Sequence, residues 1–395
     1  VTSADARGRT GLRPRPVLAG AVANLGAGAL FGWSLVAQPA SDTLGTSRGT
    51  AAAVFASAIV VFAVVLLVLP RVQRRNGPRR LLRVAAAAGG GGLLLAATAQ
   101  HPAVLLLGVG VLFGGANGLA YGVSVGLAAR ATASLRGTAT GLVVSAYAAG
   151  PVLLGLVAPR ALDAVGWRTA LTCVAVAVAG LLTLAAGLAP VEVPAERRRG
   201  PLDSVPRRDV VLLWIVFAGG TAPGLMLFAH AVTVAGDRRL SAPAAGLAVS
   251  ALAAGNVIGR LAVGAWSDRI GRLPALAVAL ATAAASIGAV AAATSSPVVL
   301  AGFLGTGLAY GAVSALVPAA TADRVGVTAF PTAYGVVFTG WGCAGLLAPL
   351  AGGRLLALSE QTPALLSLAA APVVAAAVAV ALLGHCARGA VRPAG

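Results

Sequence analysis

Arg260 stands in an apolar stretch of the sequence, residues 244–265, with Asn256 one helical turn before it. A full charge at the middle of a membrane-spanning helix costs about 2.5–3.5 kcal/mol on insertion scales, so such residues normally face a cavity or a partner. In a helix the four-residue spacing puts Asn256 and Arg260 on one face, a polar stripe on an otherwise apolar rod. A guanidinium presents a planar fork of donors that matches a carboxylate bidentately, which makes a small organic anion the natural ligand. The alternative is that Arg260 snorkels to the inner membrane surface and binds no substrate. No Asp or Glu lies deep within an apolar stretch to compete for it; Asp42 falls at the outer edge of the first one.

The remaining chemistry is sparse. Trp33, Tyr121, Tyr310, Tyr334 and Trp341 fall within apolar stretches and are candidates for shaping a substrate pocket, although helix packing accounts for each equally well. His230 is the candidate for carrying a proton, since imidazole titrates near neutrality; a lone buried histidine otherwise serves as a structural hydrogen-bonding group. Cys173 and Cys343 sit inside apolar segments and Cys386 just beyond the last, with no spacing for a disulfide or a metal site. No cofactor and no metal are expected. An enzyme embedded in the membrane should show paired acids, a metal cluster or a nucleophile motif, and none is present.

These residues must be positioned by membrane-spanning helices. Of the 395 residues 58% are hydrophobic and 10% charged, whereas soluble domains carry about 25% charged residues. Blocks of about twenty mostly apolar residues, enough to span a bilayer as helix, recur near 17–40, 51–70, 81–100, 104–128, 138–160 and 169–189. A second set lies near 209–234, 244–265, 273–293, 297–320, 330–353 and 364–385. This predicts an all-α membrane protein of twelve transmembrane helices. The expected organisation is a tail over 1–16, a six-helix bundle over 17–189, a Pro/Arg-rich linker over 190–208, a second bundle over 209–385 and a tail over 386–395.

The net charge of +18 comes from arginines clustered between the apolar blocks, with no basic groove and no interleaved aromatics, so nucleic acid is not the expected partner. With the amino terminus in the cytoplasm, the inside segments collect most arginines. The outside loops keep Arg48, Arg160, Arg168, Arg238, Arg239 and Arg354. The positive-inside rule therefore predicts a multi-pass protein of the cytoplasmic membrane with both termini cytoplasmic. Arg7, Arg9, Arg13 and Arg15 precede a segment long enough to span, which reads as a first helix rather than a cleaved leader. No obligatory protein partner is evident.

The two sets of helices repeat one another. Gly118-Leu-Ala-Tyr-Gly122 in the fourth helix recurs as Gly307-Leu-Ala-Tyr-Gly311 in the tenth, and Arg74-Arg75-Asn-Gly77 after the second corresponds to Asp268-Arg269-Ile-Gly271 after the eighth. Matching helix ordinals favour duplication over chance in a low-complexity sequence.

Gly264-Ala-Trp-Ser-Asp268-Arg269-Ile-Gly271-Arg272 resembles the signature loop of the major facilitator superfamily. The resemblance implies two pseudo-symmetric six-helix bundles, with Gly264, Asp268, Arg269 and Arg272 locking neighbouring helices on the cytoplasmic face. Arg75 belongs to the first-half copy, which lacks the glycine and the acid and so predicts a weaker or differently paired lock. Phe31-Gly-Trp33-Ser34, Arg136-Gly137-Thr-Ala-Thr-Gly141, Gly166-Trp167-Arg168, Gly224-Leu225-Met226 and Pro318-Ala-Ala-Thr-Ala-Asp323-Arg-Val-Gly326 narrow the resemblance to the oxalate/formate antiporter group and the related monocarboxylate transporters. In the latter the resemblance implies that an arginine at position 260 binds the substrate carboxylate, with an acid one turn before it; here Asn256 takes that place. Oxalate-specific members are expected to add a second cation in the eleventh helix, and residues 330–353 hold none.

The function expected is a secondary transporter of a small organic anion, above all a monocarboxylate, working by alternating access with a proton or a counter-anion as the coupled species. The alternative is efflux of a drug or acidic metabolite, since Gly150-Pro151 partly resembles the glycine-proline motif of proton-driven exporters.

Overall fold

The structure, a computed structural model, describes residues 14–46, 48–191, 207–293, 295–359 and 362–389. Most of the expected linker and tails, residues 192–206, 1–13 and 390–395, lies outside these. Ten helices are long and apolar enough to cross a membrane, and an eleventh, over residues 14–44, passes as a bent pair. One of the ten, Ser296–Leu355, has 60 residues and at 1.5 Å per residue would be about 90 Å long, three times the hydrocarbon core. Gly326 resolves this: its φ of 74° is left-handed backbone that only glycine adopts without strain, and the chain reverses there. Gly166, with φ 73°, does the same within 136–188.

Among the described residues twelve helices result. In the first half they are α1 (residues 14–44), α2 (Arg48–Gln73), α3 (Pro78–Ala97), α4 (Pro102–Ala128), α5 (residues 133–165) and α6 (residues 167–188). In the second they are α7 (Arg207–Asp237), α8 (residues 242–270), α9 (Arg272–Ala292), α10 (residues 296–325), α11 (residues 327–359) and α12 (Thr362–Gly389). Most are several residues longer than the apolar blocks, because terminal turns continue into the polar boundary. The outer surface is apolar: Leu156, Val176, Leu347 and Val374 are 61–66% exposed, a burial pattern suited to lipid and not to water.

Two helices are locally unwound to wider turns. α4 carries a π-helical stretch over Leu106–Phe113, and α8 carries one over Gly259–Val263, which holds Arg260. Such turns recur at functional sites because they rotate the face that follows.

Small residues decide the crossings inside each half. A Cβ at Gly259 or Gly311 would overlap the carbonyl oxygens of Leu308 and Asn256, and one at Gly255 or Gly307 those of Leu304 and Leu252. The α8–α10 crossing is thus backbone against backbone through two interleaved glycine pairs. In the first half Gly118 fills the same role, with a Cβ there 2.8 Å from the carbonyl oxygen of Phe62 in α2. The repeated pentapeptide marks the contact between the second and fourth helices of each half. Gly259→Val is therefore expected to cost about 1–3 kcal/mol by overpacking, read as a lower melting temperature in detergent. Gly288→Ala, where a Cβ meets nothing within 4 Å, should leave the melting temperature unchanged.

Candidate functional site

A cavity of about 820 Å³ lies between the halves. Its lining comes from the middle of the helices and from one end: residues 31–41 of α1, 147–155 of α5, 217–228 of α7 and 249–260 of α8. At the other end, called here the lock end, the halves close on each other. Arg260, 6% exposed, lines the cavity and does not run to the lock-end surface. Its Nε donates to Asn256 Oδ1 at 2.9 Å and its Nη1 to the carbonyl oxygen of Val144 in α5 at 2.8 Å. Nη2 has no protein partner among the described residues. The guanidinium carbon sits 5.8 Å from the Tyr310 ring centroid, a cation–π distance. Among the described residues, Arg260 is the one charged residue on the cavity wall.

Aromatic rings from both halves make eleven of the twenty-five described lining residues of the wall. Tyr310 accepts a hydrogen bond from Trp341 Nε1 at 3.1 Å, so the guanidinium, Tyr310 and Trp341 form one continuous contact. Tyr121 and Trp33 also line the cavity. Tyr334 does not: it stacks on Phe330 at 5.1 Å and its hydroxyl lies 3.4 Å from that of Tyr121, placing it behind the wall. His230 is likewise off the wall. It sits at a break in α7 (φ −121°, ψ 18°), where Nε2 lies 3.0 Å from the carbonyl oxygen of Pro349 in α11.

Asp268 is the centre of the lock. One carboxylate oxygen accepts from the Gly137 N–H at 2.8 Å, the other from the Thr138 N–H at 2.8 Å and the Thr138 hydroxyl at 2.5 Å. These N–H groups belong to the first turn of the α-helical part of α5, which begins at Arg136 after a 3-10 turn over Ala133–Leu135, so an acid from the second half caps a helix of the first. Arg272 pairs with Asp268 at 2.7 Å and with Asp323 at 3.0 Å, and Arg136 of the first half pairs with the other oxygen of Asp323. Gly264 lets α5 and α8 touch, since a Cβ there would stand 2.7 Å from the Gly137 carbonyl oxygen. Arg269 and Arg75 take no part in this network; both are exposed. In the first half Arg79 instead turns onto its own bundle and donates to the carbonyl oxygens of Gly187 and Ala189 at the end of α6.

The sequence profile of the Major Facilitator Superfamily matches residues 17–238 and again 213–393. The chain belongs to the major facilitator superfamily. Members of this family are transporters rather than enzymes; the first match runs from α1 through α7 and the second from α7 to the end of α12. No curated protein matches the chain in sequence. Among solved structures, the proton:xylose symporter XylE bound to 6-bromo-6-deoxy-D-glucose superposes with a TM-score of 0.78 at 14% identity, over 92% of this chain and 94% of that one. FucP in the outward conformation gives 0.72 at 13% identity, over 94% and 98%. The human organic anion transporter MFSD10 gives 0.67 at 14%, over 92% and 98%. At such identities the likeness is one of fold.

Several residues of this superfamily member's cavity and lock escaped sequence reasoning. Phe62 and Phe338 line the cavity, but an inward phenylalanine and a lipid-facing one look alike in an apolar helix. Arg136 and Asp323 carried a usable signal, as opposite charges at the lock ends of helices from different halves. The Val144 carbonyl carried none. Asp268→Ala would leave two N–H groups of α5 uncapped and take from Arg272 one of its two carboxylate partners. Bonds to charged groups are worth about 1.5–3 kcal/mol each, so the population open at the lock end should rise at least about tenfold. Spin labels at the exposed positions Ser134 and Arg269 should show it as a longer distance distribution.

Proposed function

We propose that the protein is a secondary carrier of an organic monoanion, a monocarboxylate in class, working by alternating access around Arg260. The observation that carries this reading is a buried guanidinium on the wall of the central cavity, with Nη2 uncommitted and no acid on the same wall among the described residues. A carboxylate on Nη2 neutralises the site, with the Asn256 amide, held through its oxygen by Arg260, presenting its NH₂ beside it. A single cation suits a monoanion better than a dianion. Tyr310, Trp341, Tyr121 and Trp33 then form the surrounding wall, with Tyr334 supporting Tyr121 from behind.

Asp268, Arg272, Arg136 and Asp323 serve as the gate that must open for release, with Gly264 as its close contact. The distribution of arginines places the lock end in the cytoplasm of a cell-membrane protein, which makes this conformation the outward-facing one. His230, bonded across α7 and α11, holds the far end of the second half and does not relay protons in this reading.

Uptake of labelled monocarboxylates into proteoliposomes tests the role of Arg260. Truncating one partner of a buried charge pair costs about 2–5 kcal/mol, so Arg260→Ala should lower uptake by about thirtyfold or more while the protein still elutes as a folded species. Arg260→Lys keeps the charge but not the fork and should retain a minor fraction. Unchanged uptake in Arg260→Ala removes this residue from the site.

A further inference from the structure

The rings of this chain are concentrated around one space. Two of the five tryptophans, three of the four tyrosines and six of the nine phenylalanines line the central cavity. Away from it Phe113, Phe303, Phe330 and Tyr334 are buried as well. The cavity rings are also mutually connected. Phe62 lies 5.5 Å from Tyr121, 5.1 Å from Phe338 and 6.3 Å from Trp341, and Phe338 lies 5.2 Å from Trp341.

That cluster joins the charge directly, since Trp341 bonds to Tyr310 and Tyr310 faces the Arg260 guanidinium. The site therefore has one cationic point beside a broad aromatic surface drawn from both halves. A cavity of about 820 Å³ falls within the range of about 300–1,000 Å³ that holds drug-sized ligands. An acid of two or three carbons would satisfy Arg260 and leave the aromatic surface against water, a poor use of the most hydrophobic side chains in the chain.

Resting on the carrier reading above, we infer that the substrate is an aromatic monocarboxylate: a fused or substituted ring system bearing one carboxylate on a short arm. The carboxylate meets Arg260 Nη2 and the Asn256 amide. The ring packs against Phe62, Phe338 and Trp341, stacked or edge-on as aromatic quadrupoles prefer. Because Phe62 belongs to the first half and the other two to the second, a ring held among them bridges the halves as the carboxylate alone would not.

The test is a binding titration on the purified full chain, read by tryptophan fluorescence and by ligand-dependent melting temperature. Its probes are 2-naphthylacetate, the decahydro analogue of that acid, acetate and 2-naphthylacetamide. The expected order places 2-naphthylacetate at least about tenfold tighter than acetate and several-fold tighter than its saturated analogue, with the amide weakest among the ring compounds. Phe62→Leu and Phe338→Leu, which keep apolar volume, should erase the preference for the aromatic over the saturated ring. Acetate binding as tightly as 2-naphthylacetate, or a preference surviving in both leucine variants, overturns the aromatic assignment and leaves the anion carrier standing. Amide binding equal to the acid overturns the anion reading beneath it.

Discussion

A guanidinium inside a membrane bundle must find acceptors, because a charge removed from water without partners costs several kcal/mol. Arg260 finds two neutral ones, the Asn256 side chain on its own helix and the Val144 carbonyl on a helix of the other half. Neither cancels the charge. The cavity wall therefore carries a positive centre, and the surrounding helices hold it in place. The π turn at Gly259–Val263 sets the face on which Arg260 projects. The glycine crossing with α10 brings Tyr310 under the guanidinium.

The same helix continues into the lock. Arg260 and Asp268 lie eight residues apart on α8 and both reach α5, one through a backbone carbonyl and the other through the uncapped N–H groups of its first turn. A Cβ at Gly141 would lie 2.5 Å from the Arg260 carbonyl oxygen, so the seam between these helices tolerates no bulk. The cavity guanidinium and the lock thus act on one pair of helices, α5 and α8.

The two seams at the lock end are unequal. Between α5 and α8 the contact is ionic and capped. Between α2 and α11 it is a close apolar approach, in which a Cβ at Gly335 would stand 2.9 Å from the carbonyl oxygen of Leu66. The first-half loop has arginine where the second half has Asp268, and an arginine cannot accept from helix N–H groups. Arg79 accordingly binds carbonyls at the end of α6, the electrostatically favourable place for a cation.

Much of the fold was legible in the sequence. Apolar blocks of spanning length, arginines between them and a repeated pentapeptide define a two-half membrane bundle, because the bilayer imposes both the length and the apolarity of its helices. Arg260 with Asn256, and Asp268 at a helix end, stood out for the same reason: polar groups are costly there and must have a task. The rest was a matter of rotation and tilt. In a soluble helix the buried face is the apolar one, but here the lipid face and the cavity face are both apolar. Periodicity therefore could not say that Phe62 and Phe338 look inward while Tyr334 stands behind them, or that His230 ties α11 to α7. Only the packing of twelve helices, set by where glycines allow backbones to meet, decided which rings surround the charge.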